Sequence, residues 1–156
     1  MSPICYSRLK PEDVTLEPIT MPKSAAERLK DSKPEKRVVL DKDFAGVKAG
    51  QTLYVANPNI VDQYVRAIPA GQSRTIVQMR EDLAKRRDAD ATCPVSTAIF
   101  LRISAQAAID ELEGGHAKED IAPFWRVLRA SDKITAKLSI DRQWIDTQRA
   151  LEGLDP

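Results

Sequence analysis

Few residues in this chain are of the kinds that metal sites and disulfide-bonded folds require. Its 156 residues include two cysteines and one histidine. Cys5 and Cys93 form neither a disulfide framework nor a paired-cysteine metal motif, and His116 has no second ligand at a suitable spacing. The sequence therefore predicts no metal and no cofactor, and its cysteine usage is typical of a reducing compartment.

Long apolar runs and a strong net charge are absent as well. No stretch approaches the roughly 20 apolar residues of a membrane span, and no signal peptide is recognisable at the N-terminus. Lys and Arg number 24 against 23 Asp and Glu, a formal charge of +1, whereas proteins that depend on phosphate contacts are usually basic. We therefore expect a cytoplasmic protein without membrane contact, in which any DNA-binding surface arises from local charge.

Positive charge is concentrated in the middle of the chain. Residues 66–102 carry seven Lys or Arg against four acids, and residues 103–156 carry seven against ten. A run at 85–87 has a second interpretation, as a solvated helix end near the negative pole of the helix dipole. The candidate DNA-binding residues of the middle region are Arg74, Arg80, Arg86, Ser96, Thr97 and Arg102.

The pattern predicts an extended or disordered N-terminal segment, residues 1–37, and one domain over residues 38–156. The segment is rich in proline and charge, although a short helix fits residues 24–30. Apolar runs at 38–40 and 52–55, separated by turn residues, predict a small hairpin.

Four helices are predicted beyond the hairpin. Asn57 before Pro58 marks the first start, and Thr75 with Gln78 forms a capping box for the second. The remaining elements are a helix that opens at Thr92-Cys93-Pro94 and ends near Glu113, a strand over Ile121 to Arg129, and a last helix over Arg142 to Leu151 capped by Asp141. The second and third helices, joined by a short polar turn, indicate a helix-turn-helix.

The order of these motifs resembles that of a known family. Ile68-Pro69-Ala70-Gly71, the Thr75-capped helix, a further helix and Pro123-Phe124-Trp125-Arg126-Val127 follow one another along the chain. The C-terminal domain of O6-alkylguanine-DNA alkyltransferases has a similar order, with Ile-Pro-x-Gly, a Thr-Tyr-x-x-Ile helix start and Pro-Cys-His-Arg-Val. The resemblance implies a mainly α, winged helix-turn-helix-like fold with a small N-terminal hairpin and one short strand or wing.

The residues that carry the chemistry of that family are replaced here. Phe124 and Trp125 occupy the positions of the family's cysteine nucleophile and histidine. Ile76 occupies the position of the tyrosine that helps rotate the phosphate of the flipped nucleotide. Its arginine finger falls near Ser96, and its glycine-rich loop corresponds to residues 133–138, which contain no glycine. Glu152-Gly153 resembles its terminal glutamate, without the histidine partner.

Phe124, Trp125 and Arg126 thus mark a degenerate pocket with two interpretations. The rings either stack on a flipped base or fill the former pocket and extend the core. We expect core filling, with only one of the two rings pointing inward, because a strand alternates its faces.

Cys93 is the one remaining candidate nucleophile. A helix N-terminus favours the thiolate, but no histidine is near it in sequence, so an inert structural cysteine is the expected alternative. The helix that follows is apolar nearly all round, which predicts burial on most sides and poor sequence-specific reading of bases.

Three functions remain open. The first is a non-catalytic alkyltransferase-like protein that binds double-stranded DNA, linked to alkylation damage recognition or DNA repair. The second is a structural or interaction domain that has lost DNA binding and binds a protein partner. The third is a thiol alkyltransferase that uses Cys93, although the replacement of the nucleophile by Phe124 argues against an enzyme.

Overall fold

The computed structural model describes residues 23–156; residues 1–22 of the predicted N-terminal segment 1–37, with Cys5, lie outside them. The described residues form five α-helices and one three-stranded sheet, which confirms a mainly α chain with a small N-terminal hairpin. The helices are α1 (Ala25–Lys30), α2 (Pro58–Arg66), α3 (Ile76–Arg86), α4 (Pro94–Glu113) and α5 (Arg142–Leu151), and the strands are β1 (Lys36–Val39), β2 (Thr52–Val55) and β3 (Ala91–Thr92).

Side-chain caps fix the starts of the helices. Asn57 accepts a hydrogen bond from the amide of Ile60 at 2.8 Å, and Asp141 accepts one from Gln143 at 2.9 Å. Thr75 forms the predicted capping box, accepting from the amide of Gln78 at 3.0 Å. These bonds satisfy amides that the helices themselves leave unpaired, and the predicted helix starts are confirmed.

The sheet has the order β1-β2-β3, with β1 and β2 antiparallel and β2 and β3 parallel. Thr92, which the sequence placed at the opening of a helix, belongs instead to β3. The amide of Cys93 donates to the carbonyl of Tyr54 at 2.8 Å. This pairing with β2 holds the chain extended, so α4 begins only at Pro94.

The predicted boundary after residue 37 is not a structural boundary. Helix α1 packs against α4, and β1 begins at Lys36. Glu35 accepts hydrogen bonds from Arg87 and from the hydroxyl of Tyr54, at 2.7 Å each. The bonds from Arg87 and Tyr54 lower the pKa of Glu35. Burial, together with the hydrogen bond to Glu35, raises the pKa of Tyr54 to about 12. Residues 23–37 are therefore attached to the domain.

Helix α4 is the central element of the core. Leu101, Ala105 and Ile109 are buried on it, and α1 and α2 pack against it. Its first turns are different, because Val95 and Ile99 remain 54% and 51% exposed. A helix that is apolar on all sides is thus covered over most of its length and open near its start.

The predicted strand over residues 121–129 is wrong. Phe124–Arg126 is a turn of 3-10 helix, in which the amide of Val127 donates to the carbonyl of Phe124 at 3.1 Å. In such a turn successive side chains diverge by about 120° instead of alternating. Both rings can therefore enter the core, and Phe124 and Trp125 are 0% and 2% exposed.

Candidate functional site

The Phe124–Arg126 turn is filled by aromatic side chains. The ring of Phe124 meets that of Trp125 edge to face at 5.5 Å and stacks with that of Trp144 at 5.7 Å, measured between centroids. Trp125 and Trp144 complete the triangle at 5.6 Å. The rings of Phe124 and Trp125 are buried in the core, so neither of these two presents an open face on which a flipped base could stack.

Glu152 connects this turn to the rest of the domain. Its carboxylate accepts hydrogen bonds from the indole of Trp125, from Arg126 at 2.8 Å and from the amide of Gly71 at 2.8 Å. Burial alone would raise the pKa of Glu152, but these three hydrogen bonds outweigh it and lower the pKa below its ordinary value. The glutamate that the resemblance singled out thus has a partner at the position of the missing histidine, but an indole cannot relay a proton.

Gly71 and Ile68 belong to the turn that the sequence matched to Ile-Pro-x-Gly. Gly71 has a φ of +80°, in the left-handed region that favours glycine. Arg126 donates to the carbonyl of Ile68 at 2.8 Å, and its own carbonyl accepts from the amide of Arg74 at 2.9 Å. The degenerate pocket residue Arg126 therefore holds two chain segments together and is not free to bind a ligand.

Arg149 is a buried residue of this region that the sequence did not indicate. It is 1% exposed and donates to the carbonyls of Trp125 at 2.7 Å and Asp155 at 2.6 Å. Burial and the nearby Arg129 lower its pKa. Arg149 thus satisfies the carbonyl of Trp125 without a neighbouring strand, and no local sequence signal distinguishes it from an exposed helical arginine.

Cys93 lies at the N-terminus of α4 and is 6% exposed. Its carbonyl accepts the hydroxyl of Thr97 at 2.6 Å, and its thiol caps no amide of the helix. His116 follows the other end of α4, a helix of 20 residues that spans about 30 Å. The structure therefore does not bring together the cysteine and histidine that a thiol transferase would use.

The candidate DNA-binding residues do not share one surface. Thr97 is 0% exposed and cannot touch DNA, which corrects that prediction. The hydroxyl oxygen of Ser96 and the Nε atom of Arg80 are buried without a hydrogen-bond partner among the described residues. Arg86 lies over the ring of Tyr64 at 5.1 Å.

Arg74 and the neighbours of Arg86 are also partly engaged. Arg74 donates to the carbonyl of Ser73 at 2.9 Å and to Gln72 at 3.1 Å. Arg87 pairs with Glu35, whereas Lys85 is exposed, so the run at 85–87 is only partly the solvated helix end that the sequence suggested. The charge excess of the middle region is therefore spread over several local contacts.

Arg102 is exposed and belongs to a cluster of cations. It lines a groove of about 260 Å³ between α1, α4 and the turn Thr135–Lys137, together with Lys23, Arg28 and Lys137. The floor is apolar and includes Ile99, Ile103 and Ile134, and no Asp or Glu of residues 23–156 lines it. We call this feature the basic groove.

The cations of the basic groove are largely unneutralised. Of the four cations of the groove, Lys23 forms an ion pair, with Asp31 at 2.9 Å, while Arg28, Arg102 and Lys137 form none with any other residue that the structure describes. Only Arg102 belongs to the basic middle region of the sequence, because the cations of the groove come from three separate parts of the chain. Within the described residues the groove combines three cations that lack an ion-pair partner with an apolar floor, an arrangement suited to anions.

Two further features bear on function. Across residues 23–156 no group of three or more His, Cys, Asp or Glu side chains is placed to hold a metal ion. None of the helices in that part of the chain is long and apolar enough to cross a membrane. In comparisons with protein-family models, curated proteins and solved structures, no match to this chain was found.

Proposed function

We propose that this chain is a non-catalytic, alkyltransferase-like DNA-binding protein of winged helix-turn-helix type, which contacts the phosphate backbone through the basic groove. The observation that carries the proposal is a set of three cations, Arg28, Arg102 and Lys137, around the groove. Within residues 23–156 none of them has an acidic partner and no acid lines the groove. Phosphate contacts of this kind supply most of the affinity in binding that does not depend on sequence.

The exposed side chains of α4 favour contact with the DNA phosphate backbone over recognition of the DNA bases. Its exposed first turns carry Val95 and Ile99, which cannot read the hydrogen-bonding edges of bases. Arg102 is its one cation and lies beside the groove. We therefore propose weak sequence preference, with affinity that depends on ionic strength.

The test is a fluorescence-polarisation titration of a labelled duplex at several salt concentrations. Three phosphate contacts predict a slope of log K against log salt of about −3, and Arg102→Gln with Lys137→Gln should reduce its magnitude by about 2. The matched control is Lys42→Gln with Lys48→Gln, a pair of exposed lysines that do not line the groove. Unchanged binding in the groove variant, or no binding at low salt, contradicts the proposal.

A second arm addresses alkylation damage. Because Phe124 and Trp125 are buried in the core, we expect equal affinity for a duplex with O6-methylguanine and for the unmodified duplex. A clear preference for the alkylated duplex would instead support lesion recognition through another surface.

An interaction domain is the second candidate function. The observation that favours it is a groove lined almost entirely by apolar side chains, including the exposed Phe44, Val95 and Ile99. Apolar surface of this kind on a small domain is often covered by protein. A protein whose mass rises with concentration, and which binds no DNA, would favour this function.

A further inference from the structure

A second groove lies beside the basic groove, between the sheet and the first turns of α4. Its volume is about 440 Å³, and its walls include Val38, Leu40, Phe44, Val55, Val95 and Ile99. Among residues 23–156, Lys36 and Ser96 are its only polar side chains apart from the thiol of Cys93. We call this feature the apolar groove.

The apolar groove is an open extension of a small core. Beneath it Val47, Leu53 and Cys93 form a buried cluster, separate from the main core. Val38, Phe44, Val95 and Ile99 stay between 38% and 54% exposed above it. Exposed apolar side chains scattered singly need no explanation, but a contiguous set that continues a buried cluster indicates a surface that is covered in use.

The described part of the chain begins next to this groove. Lys23 lines the basic groove together with Ile99. It also lines a neighbouring pocket together with Lys36 and Val55. Ile99, Lys36 and Val55 are all walls of the apolar groove. The described part of the chain therefore begins, at Lys23, close to the rim of the apolar groove.

The sequence of the residues that precede Lys23 suits an apolar site with a basic rim. Residues 12–22 contain Val14, Leu16, Ile19 and Met21 as apolar side chains. They also contain Glu12, Asp13 and Glu17 and no Lys or Arg. The acids complement Lys36 at the rim and the unpaired cations of the basic groove next to it.

Reach and tethering favour an occupant from the same chain. Leu16 is seven residues from Lys23, a distance of at most about 25 Å when the chain is extended. A tethered segment meets its site at an effective concentration in the millimolar range, which a separate partner rarely reaches. We propose that the apolar groove is the docking site of residues 12–21 of the same chain.

Val95 provides the position for a reporter, because its side chain lines the groove and is 54% exposed. In the full chain with Cys5→Ser, Cys93→Ala and Val95→Cys, the rate at which iodoacetamide alkylates the thiol at position 95 should be low, because the docked segment covers it. Leu16→Asp with Ile19→Asp removes the apolar contacts and should raise the rate about tenfold, as expected if nine molecules in ten are docked. The matched control is Thr15→Asp with Thr20→Asp, which adds the same charge and keeps the apolar side chains.

The rates decide between three outcomes. A higher rate in the first variant, with the control close to the parent chain, supports docking of the segment. Equal rates in all three proteins overturn it. A rate in the parent chain that rises on dilution also overturns it, because a second copy of the chain, and not its own segment, would then cover the groove.

Discussion

The Phe124–Arg126 turn and the first turns of α4 differ in how many of their polar groups are hydrogen-bonded and how many of their apolar side chains are buried. In the turn both rings are buried, and the carbonyls of Trp125 and Arg126 and the indole of Trp125 all have partners. At the start of α4 the hydroxyl of Ser96 has no hydrogen-bond partner in the part of the chain that the structure describes, and Val95 is half exposed.

This difference suggests that the turn stabilises the fold, whereas the start of α4 is available for binding. The residues of the turn resemble, in sequence, the active-site strand of the alkyltransferase family, but their side chains make contacts inside the domain. The start of α4 has contacts left to make, and both grooves adjoin it. A region that resembles an active site in sequence can therefore serve the core, while binding is expected where groups are unsatisfied.

The largest expected effect is on the aromatic cluster. Phe124→Ala removes a fully buried ring from its contacts with Trp125 and Trp144 and should lower the free energy of unfolding by about 3 to 5 kcal/mol. The measurement is urea unfolding followed by tryptophan fluorescence and circular dichroism. If the variant is too unstable to fold, Phe124→Leu gives the same sign with a smaller loss.

The matched change at the start of α4 is Val95→Ala. Its side chain is 54% exposed, so we expect a change within about 0.5 kcal/mol, as for most surface substitutions. A loss as large as that of Phe124→Ala would remove the contrast between the two regions.

Glu152 makes the stability of the turn depend on pH. Its pKa is lower in the folded chain than in the unfolded chain, so its contribution is complete above the unfolded pKa of about 4.3. The contribution is lost as the pH falls toward the folded pKa. Glu152→Gln keeps the shape but not the charge and should cost about 1 to 3 kcal/mol at neutral pH, since a partly buried group with three donors loses charge-assisted bonds.

Urea midpoints measured across the acidic range test this assignment. The parent chain should lose stability below about pH 4.3 more steeply than Glu152→Gln. Glu35, whose pKa is also lowered, contributes in the same direction, so Glu35→Gln is measured in parallel to subtract its share. Parallel curves for the parent and Glu152→Gln would contradict a role for the carboxylate in the turn.

The sequence predicted those features that depend on neighbours along the chain. Asn57, Thr75 and Asp141 cap helices within three residues of themselves, and each predicted start was confirmed. The prediction at Phe124 was wrong because an apolar run also fits a strand. The residue that satisfies the carbonyl of Trp125 is Arg149, which lies 24 residues later in the chain.

The basic groove was missed for a similar reason. Arg28, Arg102 and Lys137 lie on three elements, α1, α4 and the turn Thr135–Lys137, which meet only in the folded chain. No count of charge along one segment of the chain can identify such a cluster. Helix α4 also shows why burial was predicted better than binding, since its composition indicated a covered helix but not which turns stay open.

The smallest expected effect distinguishes two neighbouring hydroxyls at the start of α4. Ser96→Ala removes a buried oxygen that has no partner, so it should leave stability unchanged or raise it by up to about 1 kcal/mol. Thr97→Val removes a hydroxyl that donates to the carbonyl of Cys93 at 2.6 Å, so it should cost about 1 kcal/mol. Urea unfolding of both variants measures the difference, and a loss in Ser96→Ala equal to that in Thr97→Val would mean that Ser96 has a partner in solution and that the start of α4 is as fully satisfied as the turn.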